Sequence, residues 1–410
     1  MAWTFKEGGT KYNALWTGDI GTTTALITVQ LPGPASTVRL AISTSPSITS
    51  PTYSSSQVPS DYFTQHSITG LTAGTQYYYA PEVDGVLNTD TIGKFKTFVS
   101  GAQNLKIVHS CCMRFQQTRA VYSQISGENA DIVILGGDLQ YDEYNTNCPL
   151  NYYNGYQSRI GNPLVGAMMR NQCTLYTWDD KDFCGDSSGG ASTGKVGAAT
   201  AFRTRVPSPT LGSSTPGDGI YWHKVVGRVV IVGLDTRYYR NSPGAPNDPS
   251  KTMLGTAQKT WFKALLTTYS TGYLIIAVSS VSWTSADVGN DNWSRFPNER
   301  TELADFMKAL SMEGRVVFLC GDAHGTGGDS GVNGDYATGG GMDIPCFQGG
   351  SLDSDPSQKG GPWSIGFTQG VGMYGMLDIT DSGGSTISCT WRGKNDTPAT
   401  MYTYNFSVTP

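Results

Sequence analysis

The sequence predicts an α/β protein with a β-sandwich in front of it, an α+β arrangement for the chain as a whole. Three observations carry that prediction. Residues Trp16 to Phe98 form short alternating segments cut by turn residues, with no helical period. Beyond them, continuous apolar runs alternate with stretches of helical period. Most of those runs stop at Gly, Asp or Ser, as buried strands do where they hand over to loops that carry chemistry. With 410 residues the chain exceeds what one core usually serves, so two domains are expected. Charged residues at only 15% and 51 glycines favour loop-rich β architecture over helical bundles.

In the first hundred residues the segments TALITVQL, TVRLAIST, DYFTQHSITGLTAGTQYYYAPEVDG and GKFKTF read as strands of a sandwich. Leu71, Thr75 and Tyr77 resemble the tyrosine corner of fibronectin type III domains, in which the phenol bonds back to the backbone. His66 reads as structural. The small polar stretch VSGAQN (99–104) places a domain boundary near residue 100, giving domains 1–100 and 101–410.

The second part predicts strands LKIVHS (105–110), DIVILGG (131–137), CTLYTW (173–178), RVVIVGLD (228–235), YLIIAVSS (273–280) and RVVFLCGD (315–322). FQQTRAVYSQIS (115–126), LGTAQKTWFKALLTTY (254–269) and NERTELADFMKALS (298–311) carry helical period. The net charge of −5 argues against a basic nucleic-acid surface. No apolar run approaches the ~20 residues of a membrane span, and MAWTFKEGG lacks the pattern of a signal peptide. The eight cysteines show no CxxC spacing, which excludes zinc-ribbon chemistry. One disulfide among Cys148, Cys173 and Cys184 would suit a secreted protein. Cys320 reads as a small buried hydrophobe.

Four strand ends hold ligand-type residues: Cys111 after LKIVHS, Asp138 and Tyr141 after DIVILGG, Asp179 and Asp180 after CTLYTW, Asp322 and His324 after RVVFLCG. One such end is a turn, but four form a constellation. If the strands are neighbours in one sheet, ~4.8 Å apart, these side chains converge to the size of a two-metal site. A thiolate and an imidazole select a transition metal, whereas carboxylates alone suit a hard cation. Tyr141 sharpens the choice, because a phenol becomes a phenolate ligand at neutral pH only beside a strongly Lewis-acidic ion, for which ferric iron fits best.

These residues also carry a family resemblance. GDLQY (137–141) looks like the GDxxY element of calcineurin-like metallophosphoesterases and purple acid phosphatases. GDAH (321–324) resembles their closing GHxH, in the GDxH form of PhoD-like alkaline phosphatases. The SC of HSCC, TWDD (177–180), LDTRYYR (234–240), MLGTAQKTWF (253–262) and DNWSRFPNER (291–300) are similar to PhoD-like blocks in the same order. SIGFTQGVGMYGMLDI (364–379) resembles the strand pair that closes that catalytic domain. The resemblance implies a metallophosphatase β-sandwich flanked by helices, preceded by a fibronectin type III-like β-sandwich.

It further implies Fe3+ held by Cys111, Asp138, Tyr141 and His324. A second divalent metal, Ca2+ in the first place with Zn2+ or Mn2+ as alternatives, would take Asp138 as a bridge with Asp180 and Asp322. Cys112 and Asp179 are the adjacent alternatives. The implied activity is hydrolysis of phosphomonoesters, phosphodiesters or both as small-molecule substrates, by in-line attack of a metal-activated hydroxide. Export is common among such proteins, which points to a secreted, extracellular or periplasmic setting.

Where the family continues TWDD with His, this chain has Lys181, a group that can stabilise phosphoryl charge but is mismatched as an acid at neutral pH. His109 could supply the missing imidazole, or alternation could turn it into the core. Arg237 and Arg240 could clamp phosphate with their guanidinium forks or hold a loop by ion pairing. The Gly-rich stretch 325–341 is read as part of the site rim. A rival reading is a binding or structural protein that keeps the fold without turnover, motivated by Lys181 and the Gly/Ser-rich loops.

Overall fold

Period-two alternation makes the first strands two-faced, and they pair into two antiparallel sheets. The computed structural model describes residues 14–114, 119–286, 291–397 and 399–410. Strands β1 (Ala14–Ile20), β2 (Ala25–Gln30), β3 (Val38–Ser43), β4 (Thr52–Tyr53), β5 (Phe63–Ile68), β6 (Gln76–Val83), β7 (Val86–Leu87) and β8 (Gly93–Lys96) give the orders β1-β2-β5 and β4-β3-β6-β7, with β8 on β6. Their inward residues Ile27, Val29, Leu40, Ile42 and Tyr79 are buried together. The Tyr77 hydroxyl accepts from Thr72 N at 2.9 Å, the return bond expected of a tyrosine corner. β1 is tied to the rest of the chain: Trp16 Nε1 donates to Thr174 O at 2.9 Å and Asp19 N to Pro207 O at 2.9 Å.

After residue 100 come β9 (Leu105–Ser110), α1 (Ala120–Gly127), β10 (Ile132–Leu135), α2 (Pro149–Ile160), α3 (Pro163–Asn171), β11 (Cys173–Tyr176), α4 (Asp180–Phe183) and α5 (Lys195–Arg205). Then follow β12 (Trp222–Val226), β13 (Val229–Gly233), α6 (Gly255–Thr268), β14 (Leu274–Ser279), α7 (Pro297–Ala309) and β15 (Val316–Cys320). The chain closes with β16 (Gly325–Asp329), β17 (Cys346–Gly349), β18 (Gly366–Gln369), β19 (Met373–Thr380), β20 (Ile387–Asn395) and β21 (Thr400–Val408). One sheet runs β11-β10-β9-β19-β20-β21 and the other β12-β13-β14-β15-β17-β16-β18.

The apolar runs are buried on both faces because each face has its own partner. In β10, Ile132 and Ile134 point between the sheets, against a core that includes Ile276, Val317 and Phe347. Val133 and Leu135 point outward under Val121 and Tyr122 of α1 and Met168 of α3. In the second sheet, Val230, Val232 and Ile275 face Phe262 and Leu265 of α6 and Leu303 of α7. The result is a β-sandwich flanked by helices. At about 1.5–3 kcal/mol for each fully buried aliphatic side chain, these three layers dominate the stability.

Several expectations change. Residues 115–118 of the first expected helix lie outside the described residues, and its described part is α1. Helices α2, α3 and α5 were not expected, because Asn, Tyr and Gly interrupt their apolar period. The strand pair expected over 364–379 is split, β18 pairing with β16 in one sheet and β19 with β9 in the other. All eight cysteines are free. The disulfide expected among Cys148, Cys173 and Cys184 does not form: Cys173 is buried and donates to Gly18 O at 3.0 Å, Cys184 touches the Tyr152 hydroxyl at 3.8 Å, and Cys148 is exposed. Of the Gly-rich stretch 325–341, the first five residues are the buried strand β16. No helix among the described residues is long and apolar enough to cross a membrane.

Candidate metal centre

The strands β9, β10 and β11 are parallel neighbours in one sheet, whereas β15 belongs to the other. The ligand-type residues therefore meet across the sandwich and not along a single sheet. Two glycines permit the approach. A Cβ on Gly321 would stand 2.5 Å from Gly136 O, and one on Gly137, where φ is 113°, would stand 2.5 Å from Asp179 Cβ. Beyond these glycines the loops turn sharply: Cys112, Asp138 and Asp322 adopt φ of 61°, 58° and 66°. Left-handed backbone at non-glycine residues costs energy and clusters where function requires it.

Two groups of ligand atoms result, each within 4.8 Å of one another: Cys112, Asp138 and His324, and Asp138, Asp179 and Asp180. Asp138 is common to both. Burial raises its carboxyl well above the usual range, and Cys112, Asp180 and Asp179 push it further. Burial likewise pushes the Cys112 thiol up. Asp322 is raised by burial, with Lys359 opposing at 2.5 Å from its Oδ1. His324 is pushed up to about 9, since Cys112 and Asp322 outweigh the burial that disfavours its charge. Its Nδ1 donates to the Asp355 carbonyl, which leaves Nε2 as the nitrogen available to a ligand. The half-buried Tyr141 accepts from Ser354 Oγ at 2.8 Å.

Asp138, Tyr141, Asp180, Asp322 and His324 line one cavity of about 210 Å³, together with Lys181, Arg114, Glu143, Asp186 and Lys359. Of the two cysteines, Cys111 donates its thiol to Gly350 O at 2.8 Å, and the sulfur that reaches Asp138 Oδ2, at 3.7 Å, belongs to Cys112. His109 is turned into the core, its Nε2 accepting from Trp391 Nε1 at 3.1 Å, and burial lowers its pKa to about 3. Strand alternation decides this, because His109 shares the inter-sheet face of β9 with Leu105 and Ile107. Arg237 does not face the cavity as a phosphate clamp. Its fully buried guanidinium binds Asp179 Oδ1, 2.6 Å from Nε, and Asp291 Oδ2, 2.6 Å from Nη1. Arg240 holds the other oxygen of Asp291 at 2.5 Å. Against burial, these two arginines hold Asp291 well below the usual carboxylate range.

Lys181 sits on the cavity wall, 2.9 Å from both Glu143 Oε1 and Asp186 Oδ1. Burial opposes its charge, but the hydrogen bonds to Asp186 and Glu143 raise its pKa overall. No motif in the sequence marks Asp182, Ser280, Ser354 or Lys359, yet each supports the site. Asp182 accepts from Gln140 N at 2.8 Å and fixes the loop after Asp138, while Ser280 donates to Asp179 Oδ1 at 2.7 Å. Ser354 and Lys359 lie on the segment after β17. Its run CFQGGSLD repeats the apolar-run-then-glycine design of ILGGDL, the one signal that could have found them.

The donor set fits cations. Carboxylates and a thiol are packed together in buried surroundings, and Asp179 Oδ2 is buried without a hydrogen-bond partner. A thiol and an imidazole on one side of Asp138 suit a softer transition metal, whereas carboxylates alone on the other suit a harder ion.

The sequence model of the PhoD-like phosphatase family matches residues 107–358, more than half of the chain. A solved structure titled "Structure of PhoD" superposes with a TM-score of 0.80 at 17% identity, covering 98% of this chain and 91% of that one. At that identity the likeness speaks for the fold. A sensor domain of the anti-sigma factor RsgI4 from Pseudobacteroides cellulosolvens matches 22% of this chain and 91% of that one, at 20% identity and a TM-score of 0.19. A β-glucuronidase from Ruminococcus gnavus matches 75% of this chain and 61% of that one, at 8% identity and a TM-score of 0.25. Likenesses of that size carry no argument. No curated protein matches the chain.

Proposed function

The chain belongs to the PhoD-like phosphatase family, and from that premise we propose that it hydrolyses phosphate esters, mono- or diesters, in the cavity above Asp138. The observation that carries this reading is the sharing of Asp138 by two ligand groups, one with Cys112 and His324 and one with Asp179 and Asp180. In this reading Cys112, Asp138, Tyr141 and His324 hold ferric iron, and Asp138, Asp180 and Asp322 hold a second divalent ion, calcium, zinc or manganese. Ions bound there would supply Lewis acidity that activates water and neutralises phosphoryl charge.

The chain's own groups do the rest. The Nδ1 bond of His324 to the Asp355 carbonyl orients the ring, and Ser354 orients the Tyr141 oxygen. Arg237 positions Asp179 from behind through its buried ion pair. Lys181 follows Asp180 directly on α4, so its ammonium stands at the wall of the same cavity. There it offers charge-assisted hydrogen bonds to a phosphoryl oxygen. The same proposal includes the division near residue 100. It is supported by strand pairing, since among the described residues no strand before that point pairs with one after it.

Elemental analysis of the purified chain, with hydrolysis of an aryl phosphate monoester and diester across a broad pH range, tests the reading. Bound metal with turnover of either ester is the expected result. Stoichiometric metal without turnover of either would overturn it.

A further inference from the structure

One arginine and two lysines line the cavity, and one of the three is partnered differently from the others. Arg114 pairs with Asp355 at 3.0 Å, and Lys181 with Glu143 and Asp186, each at 2.9 Å. Those three carboxylates are rim groups, with side chains 68%, 46% and 74% exposed. None belongs to the proposed metal set, so these pairs survive metal binding. Lys359 pairs with Asp322, whose side chain is 5% exposed and which is a proposed ligand of the second metal. Among the described residues no other carboxylate lies within ion-pair distance of Lys359.

A carboxylate this enclosed cannot serve an ammonium and a divalent cation at full strength. The two cations would repel each other at close range with little solvent between them. When Asp322 takes a metal, the Lys359 ammonium loses its partner while its backbone keeps it at the cavity wall. Lysine has a flexible stem and three donors, and this one is 29% exposed, which gives it room to turn towards the cavity.

We propose that Lys359 is a phosphate-binding residue held in reserve by Asp322 and released by the second metal, so that metal and phosphate binding are coupled through one side chain. The phosphate half of this inference rests on the reading of the chain as a phosphoesterase, whereas the metal half does not. A monoester dianion presents three terminal oxygens and about two charges, and a diester two oxygens and one charge. A third cation at the wall therefore favours monoesters.

The test is a pair of titrations on the full chain, with circular dichroism and thermal melting as controls of folding. Calcium, zinc and manganese are titrated singly into metal-free protein, and inorganic phosphate into metal-loaded protein. Lys359→Met and Lys359→Gln should bind the divalent ion about tenfold more tightly and phosphate about tenfold more weakly, the scale of one charge-assisted hydrogen bond. Lys359→Arg should stay near the parent in both titrations. A lysine that only neutralised Asp322 would leave phosphate affinity unchanged when replaced, and that result overturns the inference. So does unchanged metal affinity, or a parent that binds none of the three ions. If both titrations behave as expected while the parent hydrolyses neither ester, the phosphoesterase reading fails and the coupled site stands.

Discussion

Cys112 Sγ lies 3.7 Å from Asp138 Oδ2, while the thiol of its neighbour Cys111 donates to Gly350 O at 2.8 Å. The two sulfurs are only 3.2 Å apart, yet they make different contacts. The turn at Cys112, with φ of 61°, aims its side chain at the cluster and leaves Cys111 against the strand end. Cys112→Ser should therefore lower metal affinity by at least about 10-fold, since a hydroxyl cannot replace a thiolate towards a transition metal. Cys111→Ser should leave affinity within about 3-fold. Equilibrium dialysis with elemental analysis reads both, and a reversed order would return Cys111 to the ligand set.

Arg237 separates a positioning role from a binding role. Its guanidinium is fully buried between Asp179 and Asp291. Removing one partner of a buried ion pair costs about 3–5 kcal/mol, because the opposite charge is left uncompensated. Arg237→Met should thus lower the unfolding free energy by that amount in urea denaturation and loosen metal binding with it. A variant of unchanged stability and metal content but raised KM would mean that Arg237 touches substrate.

Tyr141 offers an optical test of the metal's identity. A phenolate bound to ferric iron gives a visible charge-transfer band. Burial and the neighbouring Asp138 raise this phenol far above its ordinary pKa, so ionisation at neutral pH needs a strong Lewis acid at the oxygen. Tyr141→Phe should abolish the band, and Ser354→Ala, which removes the 2.8 Å bond to that oxygen, should shift it. Iron-loaded protein with no such band would exclude Tyr141 as a ligand.

The strands that end in the site were legible because runs such as IVIL and VVFLC are buried on both faces and leave a strong pattern. Their division between two sheets was not, since nothing in an apolar run says which neighbour it takes. Asp138 and His324 were marked by short motifs. That Cys112 and not Cys111 reaches Asp138 goes with one left-handed residue, which no spacing rule reveals. Arg237 was visible as a cation, but whether it faces the cavity or stands behind Asp179 depends on Asp291, more than fifty positions away in the chain. Lys359 had no signal of its own, because its meaning comes from contact with Asp322.

The front sandwich carries a separate prediction about pH. His66 is buried between Ser54 Oγ, 3.1 Å from Nδ1, and Thr64 Oγ1, 2.9 Å from Nε2, and burial lowers its pKa from 6.5 to about 4. The fold thus prefers the neutral ring. Above pH 6.5 the ring is neutral folded or unfolded, and its contribution is complete. As pH falls from 6.5 towards about 4, the unfolded chain takes up a proton that the folded chain refuses, and stability declines. Below about 4 both states are protonated and the decline from this residue ends. The whole span corresponds to about 3 kcal/mol. His66→Gln keeps an amide for the two hydroxyls and removes the titration. Its urea midpoint should therefore fall less steeply than the parent's between pH 7 and pH 5, where metal-site groups contribute equally to both proteins. Parallel profiles would mean that the His66 ring charges within the fold.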